Sequence, residues 1–124
     1  MAETAYLLRQ LQLGAKSYGQ QATIVGNATE TYDASGVTAL TAGQNPTVPF
    51  EFAGDDCKVF FAVASVDMTI NPDAGPTISL LAGVPYMWSD DSGLANPFAG
   101  VNVTEFVVTN VEAGDLQIVA LSDV

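Results

Sequence analysis

The chain has no histidine, a single cysteine (Cys57) and three cationic side chains, Arg9, Lys16 and Lys58, against fourteen Asp and Glu. Without histidine there is no imidazole base, no His-ligated zinc and no His-Ser or His-Cys nucleophile pair. One cysteine permits neither an internal disulfide nor a thiolate cluster. With so few cations, a net charge of −11 repels nucleic-acid phosphates and anionic lipid headgroups, so neither nucleic acid nor a membrane surface is expected as a partner. Long apolar runs are missing too. The longest, Val59 to Ala64, is strand-sized, and the first residues lack the charged-then-apolar pattern of a secretory signal.

What is present is ample apolar material, 48% of 124 residues, enough for one core and one globular unit. The charge is unevenly spread. Residues 1–20 hold Arg9 and Lys16 against Glu3, net +1, whereas residues 21–124 hold Lys58 against 13 acids, net −12. This reads as a weakly basic N-terminal arm, 1–20, on an acidic body, 21–124, with the arm suited to docking on an acidic neighbour.

Short runs of Val, Ile, Thr, Phe and Tyr alternate with clusters of Gly, Pro, Asn and Asp, the pattern of strands and turns. Strands are expected at Ala22–Val25, Val37–Leu40, Thr47–Phe52, Lys58–Val66, Met68–Ile70, Thr77–Leu81, Pro85–Trp88, Val103–Thr109 and Leu116–Leu121. About eight strands at this spacing predict an all-β fold, a β-sandwich or jelly roll. In Thr47–Phe52, Val48, Phe50 and Phe52 share one face, as a half-buried strand requires. Val59–Ala64 and Leu116–Leu121 are apolar on both faces, so their second faces need cover from a loop or another subunit. Thr4–Leu13 fits a helical stripe (Leu7, Leu8, Leu11) and a strand (Leu7, Arg9, Leu11, Leu13) equally well.

Few constellations suggest chemistry. Asp91-Ser92-Gly93 matches the core of aspartic proteases, but Ser89 and Asp90 stand where that site wants apolar residues, so a solvated turn is the expected reading. Asp55-Asp56, Asp90-Asp91 and Asn71-Pro72-Asp73 offer oxygen ligands without the spacing of a calcium loop, and no metal or other cofactor is expected. Cys57 has no base beside it. Tyr86 and Trp88 lead into the Asp90-Asp91 loop and could pair an aromatic face with carboxylates, as carbohydrate sites do; a core-capping role for the two aromatics competes with this.

Between Leu81 and Asp123 the strings Gly83-Val84-Pro85-Tyr86-Met87-Trp88, Asn96-Pro97-Phe98-Ala99-Gly100, Val103-Thr104-Glu105-Phe106-Val107-Val108-Thr109-Asn110 and Leu116-Gln117-Ile118-Val119-Ala120-Leu121-Ser122-Asp123 follow one another. This third of the chain resembles the C-terminal half of small structural proteins of tailed-bacteriophage virions, of the capsid decoration or cement type. The resemblance implies a non-enzymatic protein on the capsid exterior, often trimeric, that binds between major capsid subunits and stabilises the shell. The arm is then expected to make the capsid contacts, through Tyr6, Leu7, Leu8, Arg9, Leu11 and Lys16. The alternative is a tail or head-fibre module that binds host-surface glycans through Tyr86, Trp88, Asp90 and Asp91.

Overall fold

Alternation of apolar and polar residues sets the strands, and a rolled-up pairing sets the fold. A computed structural model describes residues 3–34, 47–72, 75–110 and 112–124. Ten strands follow in order: β1 (Glu3–Leu13), β2 (Lys16–Gly26), β3 (Ala28–Ala34), β4 (Thr47–Ala53), β5 (Cys57–Ala64), β6 (Met68–Pro72), β7 (Ile78–Leu80), β8 (Tyr86–Ser89), β9 (Asn102–Asn110) and β10 (Leu116–Ser122). The expected strand at Val37–Leu40 lies outside the described residues. Ala22–Val25 is the end of the longer β2, and β3 occupies a segment the sequence reading left unassigned.

Strands β3 to β10 pair as a long hairpin would if it were folded at β6-β7 and rolled. The pairs β6-β7, β5-β8, β4-β9 and β3-β10 are all antiparallel. Rolling sends them alternately into two four-stranded sheets, ordered β3-β10-β5-β8 and β4-β9-β6-β7. Two further pairings, β5-β10 and β6-β9, close the roll. This is the strand order of an eight-stranded jelly roll, a form of the expected sandwich.

The core lies between the sheets. β4 buries Val48, Phe50 and Phe52; β5 buries Phe60, Ala62 and Ala64; β10 buries Leu116, Ile118 and Ala120. Phe50, Phe52, Phe60, Phe98 and Phe106 pack edge-on or tilted, with Phe60–Phe98 centroids 4.7 Å apart and Phe52–Phe98 5.1 Å apart. Phe98 comes from the β8–β9 loop, which is latched to the turn Gly54–Asp56. The Asn96 side chain donates to the Gly54 carbonyl (2.8 Å), the Gly100 N–H donates to Asp55 (2.7 Å), and the Gly54 N–H donates to the Val101 carbonyl (2.7 Å).

Cys57 is buried at the start of β5, and that burial, with the charge of Asp90 adding to it, pushes its thiol up to about 12. The thiol should therefore ignore an aromatic disulfide reagent in the native protein and react once urea unfolds the chain. Linkage gives a second expected result. Between pH 9 and about 12 the unfolded chain has lost the Cys57 proton and the folded chain keeps it, so stability should fall as pH rises through that window. Tyr32 and Tyr86, both raised above 10.0 by burial, add to the fall at its upper end. Urea midpoints measured from pH 8 to 11 check it; a midpoint flat to pH 11 would contradict the burial of Cys57.

Candidate docking surface

Strands β1 and β2 settle the ambiguity of Thr4–Leu13 in favour of a strand. They pair from Glu3↔Gly26 to Leu13↔Lys16, leaving Gly14-Ala15 as a two-residue turn. Gly14 has φ 62° and Ala15 does not have a positive φ, which fits a II′ hairpin turn with glycine first. The arm expected over 1–20 is thus one strand and part of another, in a hairpin that runs to Gly26.

The root of this hairpin is fastened to the jelly roll. Ala5, Leu7 and Ile24 pack on Val59 of β5 and Leu121 of β10, on the outer face of the β3-β10-β5-β8 sheet and apart from the main core. Burial of Leu7 and Ile24 contributes about 1.5–3 kcal/mol each. A Cβ at Gly26 would stand 2.6 Å from the Ser122 carbonyl oxygen and 2.8 Å from Leu121 Cγ, so glycine permits the approach of the hairpin to β10. Asn27 completes the fastening. Its N–H donates to the Ser122 carbonyl (2.8 Å), its Nδ2 donates to the Val124 carbonyl (2.6 Å), and its Oδ1 accepts the Val124 N–H (2.9 Å). On the opposite side of the hairpin Tyr6 is 70% exposed and Val25 54%.

The six residues expected to contact a capsid are therefore divided. Tyr6 is open to solvent, whereas Leu7 is taken up by its own chain's sheet. Leu8, Arg9 and Leu11 occupy β1 positions opposite Gln21, Gln20 and Tyr18, and Lys16 is exposed at the start of β2. Val25, which the sequence reading passed over, joins the Tyr6 side because the register sets Thr4 opposite Val25 and Tyr6 opposite Thr23.

The residues of the glycan reading are not gathered on one surface. Trp88 is 6% exposed, with its indole N–H donating to the Leu94 carbonyl at 3.2 Å, so it has no open face on which a sugar could stack. Tyr86 is half-buried and sits edge-on to Phe60, centroids 6.1 Å apart. Asp90 pairs with Lys58 at 3.2 Å, and Asp91 accepts a 2.6 Å hydrogen bond from Ser89 in the short 3-10 turn Asp90–Ser92. Among the described residues no three His, Cys, Asp or Glu side chains gather as metal ligands. Asp73 lies outside the described residues.

Among the described residues, one outer sheet face stays partly apolar. Beside the hairpin root, Val119 of β10, Phe61 of β5 and Met87 of β8 form a row straight across the outer sheet face, and Val63 follows in the next row. Phe61, Val63 and Val119 are half-buried and Met87 is 43% exposed. A shallow depression of about 330 Å³ opens there, lined by Phe61, Val119, Thr31 and Asp33 among others. This is the second face of β5 and β10 for which the sequence required cover; the hairpin root covers Val59 and Leu121 and leaves the rest.

Fold and surface together define an all-β jelly roll that carries a root-anchored β-hairpin beside a partly open apolar sheet face. Comparison with protein families, curated proteins and solved structures returns no match.

Proposed function

We propose that this chain is a capsid cement or decoration protein of a tailed-bacteriophage virion. It is non-enzymatic and trimeric, and it binds on the capsid exterior between major capsid subunits. The observation that carries this reading is the hairpin: a strand pair of 11 residues each, about 35 Å long, fixed at its root and presenting Tyr6 and Val25 outward. A cement protein must add contact between subunits that already touch, and a rigidly rooted projection with exposed apolar side chains does this. The resemblance of residues 81–123 to phage structural proteins supports the same reading. So does the charge: trimers whose copies each carry a net −11 repel one another in solution and stay dispersed until a surface captures them. Binding to the assembled shell and not to free subunits stabilises the shell by mass action.

Phage particles prepared without this chain, incubated with the purified full-length protein, should bind it to saturation. The double variant Tyr6→Ser, Val25→Ser should keep its circular dichroism and melting temperature and lose roughly tenfold in affinity. Undiminished occupancy by the variant would show that the hairpin's outward side does not make the contact, and no binding by the unaltered protein would end the cement reading.

A further inference from the structure

We infer that Asn27 is the positioning residue of the hairpin: by clamping the joint between β2 and β3 to Val124, it sets the direction in which Tyr6 and Val25 are presented. The clamp is read from the joint itself, and its use in docking rests on the proposed function.

The joint is short. β2 ends at Gly26 and β3 begins at Ala28, so Asn27 alone carries the chain from the hairpin into the jelly roll. Among the described strands, β1 and β2 form a two-stranded sheet of their own, with no ladder into either four-stranded sheet. A ribbon of 11-residue strands on a one-residue joint is a lever, and a small rotation at Asn27 is magnified at its far end. The packing of Ala5, Leu7 and Ile24 on Val59 and Leu121 holds the root down, but apolar contact is non-directional and tolerates such a rotation.

Asn27 supplies the direction. Its N–H is engaged by the Ser122 carbonyl, and its side-chain amide meets both backbone groups of Val124, Nδ2 donating to the carbonyl at 2.6 Å and Oδ1 accepting from the N–H at 2.9 Å. This exchange of two bonds with one residue is the pattern of a hydrogen-bonded strand pair, here made by a side chain. An aspartate would keep the acceptor and set a second acceptor against the Val124 carbonyl, so the site asks for the amide. The other side of the clamp is fixed in turn: the Asp123 N–H donates to the Asp56 carbonyl at 2.9 Å and ties the segment after β10 to the Gly54–Asp56 turn. Asn27 and Val124 are both exposed, so their bonds add little to the stability of the jelly roll; what they fix is an angle.

Spin labels at Ala15→Cys, on the exposed hairpin turn, and Ser79→Cys, exposed on β7, read that angle as a distance distribution, and Cys57 is buried away from the label. The parent should give one narrow distance. Asn27→Ala and, independently, Val124→Pro, which removes the Val124 N–H, should each broaden it about twofold while the melting temperature stays within about 2 °C. The double variant should be no broader than Asn27→Ala alone, since both changes act on one clamp. On particles, Asn27→Ala should lose roughly fivefold in affinity with Tyr6 and Val25 untouched, because the hairpin then has to be ordered on binding. A distribution that stays narrow in both single variants, broadening that comes only with a fallen melting temperature, or full affinity despite broadening would overturn the inference. Its failure is separable from that of the cement reading, because the distances are measured without particles: variants that broaden in a protein with no affinity for particles refute only the cement, and narrow variants of a protein that saturates particles refute only the clamp.

Discussion

Phe60→Ala is expected to destabilise the protein by about 3–5 kcal/mol, a large part of the roughly 5–15 kcal/mol that holds a domain together. Phe60 is fully buried in the middle of β5 and touches Phe52, Phe98, Phe106 and Tyr86, so its loss leaves a void lined by rings from both sheets and from the β8–β9 loop. Rigid rings anchored on four separate elements, β4, β8, β9 and the β8–β9 loop, cannot collapse into the gap, which places the cost at the upper end of the range. The melting temperature should fall by about 10–20 °C. Phe61→Ala, one residue on but on the outer face, should cost no more than about 1 kcal/mol. Urea or thermal unfolding of the two variants side by side is the measurement. Equal losses would mean that β5 does not present Phe60 inward.

Gly54→Ala is the second large effect, expected at about 2–4 kcal/mol although it adds one methyl group. A Cβ at this position runs into the Phe98 carbonyl and comes within 2.6 Å of the Val101 carbonyl oxygen. Both obstacles are backbone, so no side chain can rotate aside. The β8–β9 loop has to retreat, and it takes with it the hydrogen bonds to Gly54 from Asn96 and to Val101 from Gly54. Phe98 is drawn from the aromatic cluster in the same movement. Gly93→Ala is the control: Gly93 has φ 76° with open space around it, so an alanine there meets only backbone strain of about 1–2 kcal/mol. Denaturant titrations that put the two variants level would remove the latch between the loop and the Gly54 turn from the account.

Much of the sandwich was legible because period-two burial leaves a mark in sequence. Thr47–Phe52 alternates cleanly and does so in the structure, and the unbroken apolar run of Val59–Ala64 belongs to a strand flanked on both sides. β3 escaped for the opposite reason. It is an edge strand with Glu30 and Tyr32 on one side and Thr29, Thr31 and Asp33 on the other, so neither side reads as core. The hairpin stayed ambiguous because Leu7 and Leu11 fit a helical stripe with Leu8 and a strand face with Arg9 and Leu13, and Gly14-Ala15 is a weaker turn signal than Asn-Gly. Register decides what composition cannot: it separates Tyr6 from Leu7 and joins Tyr6 to the side of Val25. Likewise Trp88 beside Asp90-Asp91 looks like a binding corner in one dimension, but the strand turns the indole inward and the carboxylates outward.

The placement of β10 between β3 and β5 also dictates an order of events. The β1-β2 ribbon joins residues close in sequence and can zip within microseconds, long before anything else is in place. The four-stranded sheet has to wait, because the strand that bridges its middle pairs with Ala28–Ala34, more than eighty positions away. Closure over such separations is slow, in the millisecond-to-second range of barrels and sandwiches. Val59 and Leu121 become a common floor only when that closure is complete, so the early-formed ribbon stays unmoored until the end of folding.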